Sequence, residues 1–260
     1  MEIALDPTLG CGQAHRWRKQ ADGSWQGVVK DNVVTMSQTS EGVSFEGGKL
    51  ADVAEYLRAD DDLSGIIDCI SKADPYVAGL SSKCPGLRIL KQPEWECLGT
   101  YLLATNVNVK RIAKMVESVC DHFGTDLGER RAFPTPKQIL DGKECICECR
   151  LGFRESRFIG LAERMESGDI DLERMKDLDY MKLVTELQGI KGVGPKVADC
   201  VALFGFGRLE AFPVDVRIQK VVENIYGVSG SYDKVSGFGR EKFGAYAGYA
   251  QEFLYHAEFI

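Results

Sequence analysis

The sequence predicts an α+β fold in which a small antiparallel sheet precedes a larger helical domain. Residues 13–47 alternate apolar and polar side chains between turn signals and contain few helix formers. From Asp60 onward, apolar residues recur at helical spacing between glycine, proline or acidic boundaries. We expect residues 1–90 to form the sheet domain with the helices that follow it, and residues 91–260 to form the helical domain.

Turn signals divide the strand region at Asp22-Gly23, Lys30-Asp31-Asn32 and Glu41-Gly42, which predicts an antiparallel meander. The helical region divides in the same way, because glycine, proline and acidic residues punctuate its periodic segments. Helices are predicted near residues 62–71, 75–82, 93–105, 108–123, 154–167, 180–187, 195–206, 215–226 and 239–256.

The composition is that of a protein with a substantial core. The chain has 260 residues, of which 44% are hydrophobic, enough for one large or two small domains. It contains no apolar run of 18 residues and no signal-peptide pattern, so we expect a soluble, unsecreted protein without a membrane partner. Nine cysteines without framework spacing indicate reduced thiols.

The segment Cys145-Ile146-Cys147-Glu148-Cys149 is the main candidate for a metal site. On a helix these three cysteines do not share one narrow face, and no fourth ligand follows at zinc-finger spacing. The sequence therefore predicts neither a metal nor another cofactor.

The charge argues at face value against a nucleic-acid partner. The net charge is −7 and the pI is near 5.2, whereas binding to phosphates normally requires a basic surface. Acidic residues cluster at 60–62 and 169–179, however, apart from the basic residues that would have to line one groove. Those basic residues are Lys110, Arg111, Lys114, Arg150, Arg154, Arg157, Lys191, Lys196, Arg217 and Lys220.

The most informative motif is a glycine-rich hairpin between two helical patterns, in the segment 187–199, LQGIKGVGPKVAD. Gly189, Gly192 and Gly194 adopt positive φ angles at little cost, and Pro195 suits the first position of a helix. The free N–H groups of such a helix start, at Gly192 and Gly194 above all, form an anion site for a DNA phosphate. The alternative is an ordinary turn between two packed helices.

Lys196 and Asp215 are the candidate catalytic residues. Lys196 falls in the first turn of the second helix, where a cation opposes the helix dipole, and this favours a nucleophilic role over a surface one. Cys200 lies on the same helix face at i+4. Asp215 precedes a helical pattern and is a natural N-cap, which does not prevent its carboxylate from also pointing into a cleft. Taken alone, Lys196 carries little weight, because a solvated position on the surface is by far the commoner fate of a lysine.

These residues resemble the helix-hairpin-helix DNA glycosylases that carry a Gly/Pro-Asp loop, and within them the 8-oxoguanine DNA glycosylases. Further segments resemble that family in order along the chain: Gly12–Arg18, Leu87–Gln92 with Glu96–Leu98, Asn106–Asn108 with Arg111-Ile112, and Tyr246–Gln251. The resemblance thus covers nearly the whole chain.

The resemblance implies a TBP-like N-terminal sheet domain and a helical HhH-GPD domain, with the active site in the cleft between them. It implies a bifunctional DNA glycosylase and AP lyase whose partner is double-stranded DNA containing 8-oxoguanine. Lys196 would attack C1′ of a flipped nucleotide to form a Schiff base, and β-elimination would nick the strand. Asp215 would stabilise the charge that develops on the sugar.

The resemblance also implies how DNA is read. The carbonyl of Gly12 would accept a hydrogen bond from N7–H, which guanine lacks, and such a contact discriminates strongly. Gln251 would read the base edge, while Tyr255 and Cys200 would line the base pocket. Phe153, Arg154 and Asn108 would fill the vacated hole and contact the orphaned cytosine. Contacts to phosphate would come from Lys191, Gly192, Gly194 and Arg217.

The chain departs from the family pattern at several positions. Val107 interrupts a run of asparagines, which predicts a relaxed opposite-base preference. Arg217 stands where the family usually has histidine, and His15 replaces an aromatic residue. We expect a monomer in the cytoplasm or nucleoid of a prokaryote, or in the nucleus of a eukaryote.

Other classes of protein could carry some of these motifs. No cysteine follows Cys200, which excludes the iron–sulfur branches of the superfamily. An alkylated-base glycosylase of the same fold lacks the hairpin lysine, so Lys196 discriminates against it. A non-catalytic helix-hairpin-helix module would need neither Lys196 nor Asp215, and a purely structural protein would not need the ordered series of matches.

Overall fold

A computed structural model describes residues 3–257, and its N-terminal part is a four-stranded antiparallel sheet. The strands lie in sequence order, β1 Arg18–Lys19, β2 Trp25–Val29, β3 Asn32–Thr39 and β4 Gly42–Glu46. The predicted meander is therefore confirmed.

The tight turns lie where the sequence signals predicted them. Val29 pairs with Asn32, and the intervening Lys30 has a φ of 52°; at the next turn Thr39 pairs with Gly42. On β3, Val34 and Met36 are fully buried, because alternate side chains of a strand point to one face.

Helices make up the remainder. They are α1 Leu5–Gly10, α2 Leu50–Tyr56, α3 Leu63–Ala73, α4 Pro75–Lys83, α5 Glu94–Leu103, α6 Val109–Phe123, α7 Pro136–Asp141, α8 Glu155–Glu166, α9 Leu172–Met175, α10 Tyr180–Gln188, α11 Pro195–Phe204, α12 Val216–Tyr226, α13 Tyr232–Phe243 and α14 Ala247–His256. Short 3₁₀ segments cover Lys143–Cys149, Gly152–Arg154 and Gly244–Tyr246.

The prediction of one helix over 239–256 is wrong. Gly244 adopts a φ of 59°, which ends α13, and a 3₁₀ turn leads into α14. A residue with positive φ cannot continue a right-handed helix, so α13 and α14 are separate helices. The sequence also did not predict α1, α2, α7 or α9, which are too short to show clear periodicity.

Two hydrophobic cores hold the fold together. One lies between the sheet, α1 and α2 and includes Trp17, Met36, Tyr56 and Leu90. The other runs through the helical part from Leu63 to Leu254. Helices α3 and α4 contribute to this second core; the division of the chain at residue 90 stays a prediction.

A buried ionic cluster ties the sheet side to the helical side. Glu117 on α6 accepts a hydrogen bond from Arg130 (2.7 Å) and one from Arg16 (3.4 Å), and Arg16 also lies 3.6 Å from Glu96 on α5. Only 4% of the Arg16 side chain is exposed. Paired charges of this kind are costly to separate, so the cluster fixes the two halves relative to each other.

Within residues 3–257 no helix is both long and apolar enough to cross a membrane.

Candidate active site

The predicted hairpin joins α10 to α11. Ile190 and Val193 are buried and anchor the turn, while Gly192 adopts a φ of 96°. A side chain at Gly192 would lie 2.8 Å from Arg157 and 3.0 Å from Leu102, so space as well as conformation requires glycine. The predicted helix-hairpin-helix is present.

The start of α11 is built to receive an anion. Gly194 is the N-cap in extended conformation, and no side chain caps the helix. The first-turn amides therefore have no intrahelical acceptor, and the helix dipole adds to their positive field. This arrangement supports the predicted phosphate contact at Gly192 and Gly194, which stays a proposal.

Lys196 lies in that first turn. It is half-buried, and its Nζ lies 5.3 Å from the centroid of the Tyr101 ring. Cys200, one turn further along, interacts with the Lys196 amine. Burial raises the pKa of Cys200 to about 11, so the thiol is neutral and a poor nucleophile, which leaves Lys196 as the better candidate.

A buried aspartate anchors the helix that carries Lys196. Asp199 accepts hydrogen bonds from Tyr180 (2.5 Å), Tyr232 (2.5 Å) and Ser236 (3.2 Å). The Tyr232 hydroxyl also accepts a hydrogen bond from the Val214 amide at 3.4 Å, immediately before Asp215. One network therefore holds both the lysine helix and the aspartate loop.

Asp215 is the N-cap of α12, as predicted. Its Oδ1 accepts hydrogen bonds from the amides of Arg217 (3.0 Å) and Ile218 (2.8 Å). Both cap bonds use Oδ1, so Oδ2 takes no part in the cap. The carboxylate is half-buried and lines the same cavity as Lys196.

The Gly12 segment forms the opposite wall, and Gln13 fixes it. The Gln13 amide donates to the carbonyls of Thr8 (2.8 Å) and Arg88 (2.9 Å) and accepts from the Leu90 amide (2.8 Å). Gly12 itself has a φ of 97°, a conformation that favours glycine. The segment is therefore rigid, as a carbonyl used for recognition must be.

A cavity of about 140 Å³ lies between these walls. It brings together the six residues predicted for catalysis and base recognition: Gly12, Lys196, Cys200, Asp215, Gln251 and Tyr255. They come from four separate parts of the chain. The cavity also contains His15, Tyr101, Val107 and Glu252, among other residues.

Arg217 contacts Tyr255, which lines the cavity. The Arg217 guanidinium lies 5.5 Å from the Tyr255 ring centroid, and its Nη1 donates to the Tyr255 hydroxyl at 3.4 Å. Arg217 therefore holds Tyr255 in place, a use that the sequence did not predict. The Arg217 side chain is exposed, so it is accessible to a DNA phosphate; the predicted phosphate contact stays a proposal.

The residues predicted to contact the opposite base do not line the cavity. Asn108 is exposed and caps α6, accepting from the Arg111 amide at 3.0 Å. Phe153 is 52% exposed and lies beneath two guanidinium groups, those of Arg154 (4.3 Å) and Arg157 (5.0 Å). Such an exposed aromatic with flanking cations suits insertion into a base stack.

Arg154 is buried and bonded to backbone. It donates to the Thr105, Leu151 and Asn106 carbonyls. Burial lowers its pKa, and the nearby charges of Arg111 and Arg157 add to this. Arg154 and Arg157 thus flank the exposed Phe153, and Arg111 lies near Arg154, which gives an acidic protein a local concentration of positive charge. Lys191, in the hairpin, is also exposed.

Sequence reasoning missed two polar residues of the cavity. His15 is buried with its ring edge-on to Tyr101 at 6.1 Å. Burial, with Lys196 adding to the effect, lowers the pKa of His15 to about 4, so the imidazole is neutral beside the lysine. Glu252 is 3% exposed. In the sequence, the one pointer to Glu252 was its position next to the predicted base-reading Gln251.

The hairpin and the cavity beside it define a DNA glycosylase of the helix-hairpin-helix superfamily. The family model described as "8-oxoguanine DNA glycosylase, N-terminal domain" matches residues 1–98. The N-glycosylase/DNA lyase OGG1 of Arabidopsis thaliana is 29% identical, over 99% of this chain and 78% of the relative. The N-glycosylase/DNA lyase of Saccharomyces cerevisiae is 26% identical, over 99% of this chain and 84% of the relative.

Solved structures agree over the whole fold. The structure of MBOgg1 in complex with a low affinity DNA ligand is 32% identical with a TM-score of 0.93, over 99% of this chain and 93% of that one. The Clostridium acetobutylicum 8-oxoguanine glycosylase/lyase in its apo-form is 30% identical with a TM-score of 0.93, over 98% of this chain and 93% of that one. The chain belongs to the 8-oxoguanine DNA glycosylase family.

Proposed function

We propose that the protein excises 8-oxoguanine from duplex DNA and nicks the abasic site that remains. The supporting observation is the cavity that joins Gly12, Lys196, Asp215 and Gln251 from four separate parts of the chain. A base inside a duplex must be extruded to reach such a cavity, at a cost of a few kcal/mol. The exposed Phe153 with its arginines is placed to fill the gap.

The chemistry divides between two side chains. The Lys196 amine attacks C1′, the bond from C1′ to the base breaks, and the base leaves with the bonding electron pair. The attacking nitrogen loses a proton, and its electron pair forms the Schiff base as the C1′–O4′ bond breaks and O4′ takes up a proton. Loss of a proton from C2′ then breaks the C3′–O bond, so the 3′ phosphate leaves with that electron pair. Asp215 supplies negative charge near C1′ while positive charge develops there.

Base recognition in this proposal combines a rigid carbonyl with side chains. The Gly12 carbonyl accepts from N7–H of 8-oxoguanine, and Gln251 contacts the base edge. Cys200 and Tyr255 lie on either side as neutral surfaces. An enzyme with this function would act where the genomic DNA is, in the nucleoid of a prokaryote or the nucleus of a eukaryote.

The test uses duplexes containing 8-oxoguanine opposite each of the four bases, resolved with and without alkali. We expect base release with strand nicking and, because Val107 interrupts the asparagine run, a shallow dependence on the opposite base. Absence of lesion release from all four duplexes would overturn the proposal.

Borohydride trapping identifies the nucleophile. Lys196→Gln is expected to abolish the covalent adduct with 8-oxoguanine DNA, because only an amine forms the reducible imine. Lys191→Gln, in the same hairpin but exposed, is the control and should still be trapped at saturating protein. Persistent trapping of the Lys196 variant would show that another amine reacts.

The rival function is excision of an alkylated base. The 3-methyladenine DNA glycosylase of Archaeoglobus fulgidus has a TM-score of 0.79 at 19% identity, which shows a shared fold alone. The presence of Lys196 favours a glycosylase that also has lyase activity over an alkylated-base glycosylase. Release of 3-methyladenine but not 8-oxoguanine from matched duplexes would reverse this preference.

A further inference from the structure

Glu252 is a buried carboxyl group in the cavity that the proposed mechanism does not use. It follows Gln251 on α14, and only 3% of it is exposed. The groups that act on it are the Cys11 thiol, a weak donor, and Asp215, a group of like charge. Burial favours the neutral acid, and the like charge of Asp215 adds to this, whereas the hydrogen bond with Cys11 opposes it.

Unpartnered polar atoms converge on this cavity. Within residues 3–257 no hydrogen-bond partner lies in reach of Glu252 Oε1, Gln251 Oε1 or His15 Nδ1, and all three residues line the cavity. Buried polar atoms are normally hydrogen-bonded, and leaving them unpaired is unfavourable. A ligand that offers donors and acceptors would satisfy them, as a purine base does.

We propose that Glu252, as a neutral carboxylic acid, hydrogen-bonds to the flipped base and reads it together with Gln251. This inference rests on the proposed function, since it takes the cavity to be the base pocket. A neutral carboxyl group offers one O–H donor and an acceptor oxygen, whereas the ionised form only accepts. The polar groups of a lesion base therefore meet a donor that a carboxylate would lack.

The role predicts a dependence on pH. The titratable groups around Glu252 include Cys11 after α1, Asp215 at the start of α12, Tyr101 on α5 and Tyr255 on α14. Lys196 and His15 line the same cavity, and His256 lies one turn further along α14. Burial raises the pKa of Glu252 to about 7. Excision by the wild type should therefore fall, relative to a Glu252→Gln variant, as the pH rises through about 7.

The experiment compares two reactions of the same protein. One is single-turnover release of 8-oxoguanine opposite cytosine; the other is nicking of a duplex with a preformed abasic site, which holds no base. Variants are Glu252→Gln, which keeps a donor and an acceptor, and Glu252→Leu, which keeps neither. Glu241→Leu, exposed on α13, is the matched control.

We expect Glu252→Leu to slow base release by about 10- to 100-fold, the range for losing a buried hydrogen bond. The Gln variant should stay close to the wild type at pH 6, and nicking of abasic DNA should be unchanged in all variants. The role of Glu252 would be overturned if the Glu252→Leu variant released the base as fast as the wild type. It would also be overturned if base release and nicking of abasic DNA were slowed equally. Failure of the wild type to release 8-oxoguanine would instead overturn the proposed function.

Discussion

Replacing Glu252 by glutamine also tests how strongly the buried carboxyl group opposes folding at high pH. Burial raises its pKa from the usual value of 4.5 to about 7. An amide of the same shape carries no charge at any of these pH values. The variant therefore removes the titration and keeps the packing.

The sign and the size of the effect follow from proton linkage. In the unfolded chain the group ionises near 4.5, while in the folded protein it stays protonated up to about 7. The folded state binds more protons in this window, so the free energy of unfolding falls as the pH rises through it. A difference of about 2.5 in pKa corresponds to about 3 kcal/mol of stability, which is fully present well below pH 4.5 and is lost by about pH 8.

Urea unfolding of the wild type and Glu252→Gln at pH 5 and pH 8 measures this directly. The stability difference, variant minus wild type, should grow by about 2 to 3 kcal/mol between the two pH values. Glu223→Gln, exposed on α12, is the control and should show no comparable change because water solvates its charge. A difference that stays constant with pH would refute the reasoning.

Three further predictions concern the active site and its support. Asp215→Asn should slow base release strongly in single-turnover assays, while folding and DNA affinity stay nearly intact because asparagine is also a good N-cap; wild-type release would contradict its electrostatic role. Phe153→Ala should slow release from duplex DNA more than from single-stranded DNA, since only the duplex leaves a gap to fill; equal slowing would contradict a wedge. Glu117→Gln should lower the free energy of unfolding by about 3 to 5 kcal/mol in urea titrations, because Arg16 and Arg130 lose their buried counter-charge; a change below about 1 kcal/mol would show that the cluster is not stabilising.

Local signals predicted much of the fold and the positions of Lys196 and Asp215 at the starts of two helices. The hairpin could be read from the sequence because glycine and proline dictate backbone conformation at Gly192, Gly194 and Pro195 themselves. The N-cap at Asp215 is likewise a property of a few adjacent residues. In long amphipathic helices such as α6, apolar residues recur over several turns, so the buried face can be predicted from the sequence.

Features set by tertiary packing were not predicted. The break at Gly244 depends on which of 28 glycines adopts a positive φ, and composition does not tell them apart. Glu252 and His15 look like surface residues in the sequence, since only the fold buries them in one cavity. The contact of Arg217 with Tyr255 joins residues that are 38 positions apart.

The ionic cluster of Arg16, Glu96, Glu117 and Arg130 also bears on how the protein would survey undamaged DNA. It ties the segment that carries Gly12 to α5 and α6, which line the cavity through Tyr101 and Ile112, so the pocket exists before any base enters it. We expect each sampled base to enter a preformed pocket, so that no domain closure delays the return of the base to the duplex. The duration of each visit is then set by how readily the duplex gives up that base, and a lesion that unstacks easily is inspected for longer.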